Sequence, residues 1–309
     1  MARRRKGEAV SGWLNLDKPI NLGSTQAVGA VRRAFNAQKA GHAGTLDPLA
    51  TGILPIALGE ATKTVPFLVE ADKAYRFTVV WGVETATFDR EGPVTAQSNA
   101  RPGPAAIAAA LGEFIGEILQ VPPAYSAVKV AGERAYDLSR AGVAVDLEPR
   151  KVVVHDARLT ATPDPDHAVV EIECGKGTYV RALVRDLAER LGVHAHVGEL
   201  RRTRVGPFTE AGAITLESLQ LLCDRGAPLE ALLPVETALD DIPELAVTDE
   251  DAFRLTQGRS IVLLPRQVET LRARLGASRT VSTRHGTRIV ALCEMRAGRL
   301  NPTRVFHLT

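Results

Sequence analysis

The sequence holds few cysteines and no long apolar run. Its three cysteines, Cys174, Cys223 and Cys293, are odd in number and far apart, which fits neither a disulfide framework nor a zinc knuckle. No apolar run approaches the roughly 18 residues that span a bilayer. The basic N-terminus is not followed by the apolar segment of a secretory signal. These absences argue against secreted and membrane-spanning classes and predict a protein of the reducing cytoplasm.

The composition and the length are those of an ordinary globular protein that is large enough for two domains. Hydrophobic residues make up 45% of the chain and charged residues 24%, which places it among folded rather than disordered proteins. Residues 240–251 carry six acids and no base, a change of composition typical of a boundary. We therefore predict one domain over residues 1–240 and a second over residues 241–309.

The net charge of +2 hides an uneven distribution. Residues 1–40 contain eight Lys or Arg and two acids, and residues 253–309 contain eleven Arg against Glu269 and Glu294. Basic ends on a nearly neutral chain indicate that a polyanion is held by particular faces. Solvated surface charge would explain one such cluster, but it explains an all-arginine segment less well because arginine is favoured for phosphate contacts.

Hydrophobic periodicity predicts a mixture of strands and helices. The predicted strands are 13–19, 53–58, 75–81, 152–159 and 169–174. The predicted helices are 24–36 with Ser24 as its N-cap, 104–118 with an apolar stripe that ends at Ile118, and 179–191. Beyond the acidic boundary, the segments 260–264, 287–295 and 299–307 are typical of short strands in a small β-rich domain.

The segment 41–52 contains three glycines and a single acid, Asp47, placed between Leu46 and Pro48. Glycine permits a tightly folded backbone, and Pro48 favours an extended conformation at Asp47. A lone carboxylate on an apolar, glycine-rich loop suits a nucleophile or a base. The alternative is that Asp47 only stabilises a turn, as Asp before Pro often does.

The segment GHAGTLDPLATGILP resembles the catalytic loop of the bacterial tRNA pseudouridine-55 synthases of the TruB type. WLNLDKP, VPPAYSAVKVAGERAYDLSR, GKGTYVRALVRDL and LRRTRVGPF also occur in that family's order. The resemblance implies an α+β fold, in which a mixed, curved sheet with flanking helices is followed by a small β-barrel-like PUA domain that binds RNA. Residues 266–279 fit that second domain poorly.

The resemblance also implies roles for individual residues, and Asp47 matches the family's nucleophile. Tyr75 matches a tyrosine that lies against the target base, His42 a histidine that helps to hold the extruded RNA, and Leu200 a residue that wedges against the flipped uridine. Without the resemblance, each has a plainer explanation: a core aromatic, a loop histidine with a structural hydrogen bond and a core leucine.

Two further matches lie at a helix start. Tyr179 matches the family's second pocket tyrosine, and Arg181 matches an arginine beside the catalytic acid. Because an opposite charge at close range favours the ionised carboxylate, we predict an ion pair between Asp47 and Arg181. The alternative for Arg181 is an exposed helix cation. The predicted catalytic residues are thus Asp47, Tyr75 and Arg181, and the predicted substrate-binding residues are His42, Tyr75, Tyr179 and Leu200.

The function implied is the isomerisation of a uridine in the T-loop of tRNA. No cofactor is expected because the reaction transfers no electrons and needs no acceptor. No metal is expected either, since His194 and His196 have no third ligand nearby. A monomer without an obligate protein partner is expected from the resemblance alone. Two alternatives stay open: a non-catalytic tRNA-binding or folding protein, and a synthase for another uridine, including one that works with partners on guide-RNA-selected sites.

Overall fold

A mixed sheet of nine strands forms the larger part of the molecule. The computed structural model describes residues 7–126, 129–130, 133–134, 145–275 and 279–308. Up to residue 209 the strands are β1 (Gly12–Lys18), β2 (Ala40–His42), β3 (Thr51–Leu58), β4 (Lys73–Trp81), β5 (Val83–Thr85), β6 (Val94–Gln97), β7 (Gly116–Gln120), β8 (Lys129–Val130), β9 (Glu133–Arg134), β10 (Arg150–Asp164), β11 (His167–Cys174), β12 (Ala195–Val205) and β13 (Phe208–Thr209). The main path of the sheet runs β1-β3-β12-β4-β11-β10-β7, and β2 and β13 pair with β3 and β12.

Strand β12 lies between β3 and β4 in this sheet. It pairs in parallel with β3, where Arg201 lies opposite Thr51 and Arg202 lies opposite Gly52. It pairs in antiparallel fashion with β4 along its whole length. Because β3 directly follows the Asp47 segment and β4 carries Tyr75, β12 connects the two parts of the chain that hold the predicted site.

Five α-helices of this part of the described chain accompany the sheet. They are Ser24–Ala34, Val65–Glu70, Pro104–Gly112, Val180–Arg190 and Leu216–Asp224. The fourth buries Leu183 and Leu187 in a core that it shares with β4, β10 and β11, as its 3.6-residue apolar stripe predicts. The first buries Val31 in a second core with β1 and β3. The sheet is thus packed by amphipathic helices in the manner of an α+β fold.

The C-terminal residues form a separate five-stranded sheet in the order β14-β16-β17-β18-β15. Its strands are β14 (Glu244–Ala246), β15 (Ile261–Val262), β16 (Thr280–His285), β17 (Arg288–Arg296) and β18 (Arg299–Val305), and its helices are Asp249–Thr256 and Pro265–Arg274. It has its own core and also contacts the larger part of the molecule. Phe306 packs in one cluster with Trp13, and the Lys63 Nζ donates a hydrogen bond to the carbonyl of Val305 at 2.6 Å.

The predicted α+β class, with a mixed sheet, flanking helices and a small β-rich C-terminal part, is confirmed. The two sheets share no strand among the described residues, and we keep the division at residue 240 as a proposal. No helix in the described part of the chain is long and apolar enough to cross a membrane. The assignment of the C-terminal part as a PUA domain stays a prediction.

Several local predictions were wrong. Gly23, not Ser24, is the N-cap of the first helix, because the Ser24 side chain is used elsewhere. The helix predicted over 104–118 ends at Gly112, and Ile118 lies instead in β7, opposite Val152. Gly116 has a φ of +111° between them, a conformation that interrupts a right-handed helix. Most of segment 266–279 belongs to the helix Pro265–Arg274, which the strand patterns had not predicted.

Candidate active site

The backbone that carries Asp47 connects β2 to β3 and is held on both sides of the acid. The Ser24 hydroxyl accepts a hydrogen bond from the amide of Leu46 at 2.9 Å and donates one to the carbonyl of the same residue at 2.8 Å. On the other side, the buried Lys18 Nζ donates to the carbonyl of Pro48 at 3.2 Å. Both neighbours of Asp47 in the sequence are therefore fixed, which pre-organises the carboxylate.

Gly52 closes this segment with a φ of +98°. A Cβ added to Gly52 would lie 2.2 Å from the carbonyl oxygen of Arg202, so no other residue fits without a backbone shift. Gly44, with a φ of +88°, is the second position that needs this conformation. The glycines of the motif thus serve the path of the backbone rather than its flexibility.

The predicted ion pair between Asp47 and Arg181 is present. The Arg181 Nη2 lies 2.9 Å from the Asp47 Oδ2. The guanidinium is 6% exposed and the carboxylate 42% exposed, so the cation is buried while the acid faces the solvent side. Arg181 also donates hydrogen bonds to the carbonyls of Thr87 at 3.1 Å and Tyr125 at 2.8 Å. These contacts fix the guanidinium independently of Asp47, so Asp47 meets a cation that is already oriented.

A second acid, Asp89, lies on the far side of Arg181 and was missed by the sequence analysis. Its Oδ2 lies 3.6 Å from the Arg181 Nη1, and the residue is 9% exposed. Its Oδ1 accepts hydrogen bonds from the Thr87 hydroxyl and from the amide of Glu91. Asp89 is therefore a buried counter-ion of Arg181, whereas Asp47 is a partly exposed one.

A cavity of about 530 Å³ opens beside Asp47. Five of the six predicted site residues line it: Asp47, Tyr75, Tyr179, Arg181 and Leu200. The sixth, His42, is not among the described residues that line it. Residues 175–180 and Lys73, Arg150 and Arg202 also line it. The arrangement combines one accessible carboxylate with aromatic and apolar surfaces, which suits a planar base next to a nucleophile.

Two family models match most of the chain. The TruB family pseudouridylate synthase N-terminal domain matches residues 32–180, and the tRNA pseudouridylate synthase B C-terminal domain matches residues 181–240. This chain belongs to the TruB family of pseudouridylate synthases. It is therefore an isomerase, as the motifs around Asp47 had implied. The first model ends at residue 180, so β12 of the larger sheet lies within the residues that the second model matches.

Curated relatives of this TruB family chain match it along its whole length. The tRNA pseudouridine synthase B of Caulobacter sp. (strain K31) is 68% identical over 310 residues, which cover 100% of both chains. The tRNA pseudouridine synthase B of Bradyrhizobium diazoefficiens is 55% identical, over 99% of this chain and 88% of the relative. The alignment thus extends through the C-terminal sheet, beyond the residues that the two family models match.

Solved structures support the fold of the TruB family chain. A chain in the crystal structure of a Cbf5-Nop10-Gar1 complex gives a TM-score of 0.72 at 26% identity, over 96% of this chain and 85% of that chain. A structure of an H/ACA RNP bound to a substrate RNA containing 2′-deoxyuridine gives 0.73 at 23% identity, over 100% and 92%. This second likeness concerns the fold alone.

The two cavity tyrosines of this TruB family site differ in how they are placed. Tyr75 lies on β4 with its ring half-buried, and burial raises the pKa of its hydroxyl, against the effect of a hydrogen bond with Arg202. Tyr179 is the N-cap residue of the helix Val180–Arg190, and its amide donates to the Gln120 Oε1 at 2.8 Å. Burial raises its pKa as well, so both phenols are protonated and neutral at physiological pH.

Leu200 and His42 lie on two strands, β12 and β2, that both pair with β3. Leu200 is half-buried on β12 opposite Phe77 of β4, and it packs against both of the main cores. His42 ends β2, and its buried Nδ1 has no hydrogen-bond partner among the described residues. Burial and, to a lesser extent, the nearby Arg202 lower the pKa of His42, so its ring is neutral at pH 7. A buried polar atom without a partner is rare in folded proteins, which marks His42 as a position that packing alone does not explain.

The mouth of the cavity is basic. Lys151 and Lys176 lie there beside Arg150. Each lysine is also paired with an acid at the surface, Lys151 with Glu117 at 2.7 Å and Lys176 with Glu70. Because these pairs are exposed, they contribute little to stability and leave the lysines able to exchange their partners for phosphates.

The described residues contain no group of three side chains that could hold a metal ion. The His194 Nδ1 lies 3.3 Å from the Glu84 Oε2. The His196 Nδ1 lies 2.7 Å from the carbonyl oxygen of Val83. Both histidines therefore have structural partners on β5, and neither is among the described residues that line the cavity beside Asp47.

Proposed function

We propose that this chain converts the uridine at position 55, in the T-loop of tRNA, into pseudouridine, with Asp47 as the nucleophile. The observation that carries the proposal is the 2.9 Å contact between Asp47 and Arg181 at the wall of a 530 Å³ cavity. The identity of 68% to a tRNA pseudouridine synthase B, over the whole of both chains, favours tRNA as the substrate.

The reaction is an isomerisation in which the bond between C1′ and N1 of the uridine breaks and a bond between C1′ and C5 forms. The hydrogen at C5 is lost as a proton and N1 gains one, so atoms and electrons balance without a cofactor. Asp47 acts as the nucleophile that holds the substrate covalently between these steps. The charge-assisted hydrogen bond from Arg181 keeps the carboxylate in one orientation during the attack.

The target base must leave the stack of the folded T-loop, at a cost of a few kcal/mol. Tyr75 supplies a ring on which the extruded base stacks, and base–aromatic stacking contributes about 1–3 kcal/mol. Leu200 wedges against the flipped uridine, and Tyr179 closes the pocket from the helix side. His42 helps to hold the opened RNA. Together these contacts offset the cost of unstacking.

The phosphates are held by basic surfaces outside the cavity. Arg150, Lys151 and Lys176 lie at its mouth, and the arginine-rich C-terminal sheet, proposed to be a PUA-type RNA-binding domain, adds a second surface. Binding through several phosphate contacts weakens steeply as the salt concentration rises. We further propose that the enzyme acts in the cytoplasm as a monomer and needs no protein partner.

The experiment that tests this function is pseudouridine mapping on an unmodified tRNA transcript. The transcript is incubated with the wild type, with Asp47→Asn, and with Asp224→Asn, which removes an exposed acid at the end of the helix Leu216–Asp224. We expect one new pseudouridine, at position 55, with the wild type and Asp224→Asn and none with Asp47→Asn. All three proteins should bind the transcript. Salt-sensitive binding without any product would contradict the proposal, and a product at another position would contradict the substrate.

A further inference from the structure

Arg202 is a buried cation in the wall of the cavity with an unusual set of partners. It lies on β12 and is 1% exposed. Its Nε donates a hydrogen bond to the carbonyl of Ile53 at 2.7 Å, its Nη1 to that of Thr45 at 3.3 Å and its Nη2 to that of Gly44 at 3.2 Å. It also forms a hydrogen bond with the hydroxyl of Tyr75. The guanidinium therefore binds backbone oxygens and a phenol.

This arrangement is costly as a device for stability alone. Taking a charge out of water is unfavourable unless its partners compensate fully, and a well-packed apolar side chain often stabilises a core as well or better. What the guanidinium adds is geometry, since its donors form a rigid planar fork. Three carbonyl groups that hydrogen-bond to one planar group are fixed relative to one another.

The three carbonyls belong to the two ends of the segment that contains Asp47. Thr45 precedes Asp47 by two residues, and Ile53 follows it by six. The Arg202 side chain thus joins the two ends of the segment by hydrogen bonds and attaches both to β12. Leu200, two residues before Arg202 on the same strand, lines the same cavity. Arg202 therefore fixes the positions of the Asp47 segment, Tyr75 and Leu200 relative to one another.

We propose that Arg202 is a positioning residue of the reaction, which fixes the Asp47 carboxylate relative to the tyrosine and the leucine that hold the flipped base. This role rests on the proposed function. Arg202 touches no reacting atom, so its loss should slow the chemical step and leave the binding of tRNA, which depends on the exposed basic surfaces, nearly unchanged.

The neighbouring Arg201 offers a matched control. It is an arginine on the same strand, but its guanidinium faces Asp17 at 2.9 Å and Glu210 at 2.5 Å and donates no hydrogen bond to the segment around Asp47 among the described contacts. Arg201→Ala removes an equal side chain and an equal charge but leaves the three hydrogen bonds of Arg202 in place.

The experiment compares wild type, Arg202→Ala and Arg201→Ala in two measurements, the dissociation constant for unmodified tRNA and the single-turnover rate of pseudouridine formation. For Arg202→Ala we expect a dissociation constant within about threefold of the wild type and a rate lowered by about 100-fold, the scale of a misplaced reacting group. Because Arg202 lines the cavity, we expect millimolar guanidinium chloride to enter the space left by the side chain and to raise the rate of Arg202→Ala. It leaves Arg201→Ala and the wild type unchanged, with sodium chloride as the control for ionic strength.

A single-turnover rate of Arg202→Ala close to that of the wild type would overturn the proposal. So would a rate loss that is matched by lost binding and that guanidinium does not restore, because it would mark a merely structural role. If Arg202→Ala does not fold, Arg202→Lys decides, since it keeps the charge and loses the fork. A slowed reaction at unchanged affinity then supports the role, and full activity refutes it. The wild-type reaction tests the proposed function itself. If the wild type forms no pseudouridine, both proposals fail together. If it does, the variants test the role of Arg202 alone.

Discussion

Arg181 is buried between two carboxylates that differ in exposure, and this difference predicts separate effects on stability and on activity. The Asp47 side chain is 42% exposed, so its contact with Arg181 contributes less to stability than a contact between two buried groups. Asp89 is buried, and removal of one partner of a buried pair costs about 3–5 kcal/mol. We therefore expect Arg181→Met to lower the free energy of unfolding by about 3 kcal/mol, partly through Asp89 and partly through the two carbonyls that lose a donor.

The double variant Arg181→Met/Asp89→Asn separates the two effects. An asparagine keeps the Oδ1 that accepts from the Thr87 hydroxyl and the Glu91 amide and removes the charge that lost its counter-ion. The part of the lost stability that is due to the uncompensated charge of Asp89 should return. Activity should not, because Asp47 still lacks its cation and stays misoriented, which costs about 100-fold or more in rate.

The assays are urea denaturation for stability and single-turnover pseudouridine formation for activity, with tRNA affinity measured alongside. Asp89→Asn alone is the reference, and it should lose less activity than Arg181→Met because the contact between Arg181 and Asp47 remains. The reasoning is refuted if the double variant regains activity together with stability, or if Arg181→Met unfolds at the same urea concentration as the wild type.

Three further predictions concern the surroundings of Asp47. Burial lowers the pKa of Lys73 from 10.5 to about 8. Between these two pH values the unfolded chain holds a proton that the folded chain has lost, so the free energy of unfolding rises with pH. From pH 8 to 10 it should rise by about 1 kcal/mol per pH unit more in the wild type than in Lys73→Met, and parallel curves for the two proteins would contradict this. Gly52→Ala should lower the free energy of unfolding by at least about 2 kcal/mol, measured by denaturation. Gly41→Ala, where an added Cβ meets nothing within 4 Å, should leave it nearly unchanged. Equal losses in the two variants would contradict this prediction. Ser24→Ala should cost about 1–3 kcal/mol because the buried amide of Leu46 loses its acceptor, and its initial rate should fall as well, an outcome that a simple helix cap would not produce.

The sequence predicted the contact between Asp47 and Arg181 and most of the strands around it. Short-range patterns were enough for the strands, since alternation along β4 and the apolar run of β3 report the burial of each side chain directly. The ion pair itself was predicted from the resemblance, because nothing local in the sequence relates residue 47 to residue 181.

The other two charged groups of the site could not be found in this way. Asp89 lies in a polar turn without periodicity, and it reaches Arg181 because the chain there is fixed by a bridge to Val197 of β12. Arg202 stands in a run of basic residues that looks uniformly exposed. In a strand that carries polar residues on both faces, alternation does not tell which arginine points inward.

Ile118 shows the opposite difficulty, in which a pattern was strong but misleading. Its spacing from Ile107 and Leu111 fits a helix, yet Ile118 lies in β7. A few apolar residues match both periods, and Gly116, which separates helix from strand, decides between them through its backbone conformation. Long-range pairing with β10 then selects the strand.

The position of β12 between β3 and β4 has a consequence for how the enzyme is made. Residues 51–58 and 73–81 leave the ribosome long before residues 195–205, and until that strand arrives each of its two neighbours has an open edge. The sheet cannot close as it is synthesised, since its central pairing joins residues more than a hundred positions apart, and such non-local pairings form slowly. Unpaired edges of this kind are sites of aggregation. The cavity beside Asp47 is therefore completed late, when β12 inserts between two strands that have already been synthesised, rather than by successive addition of strands.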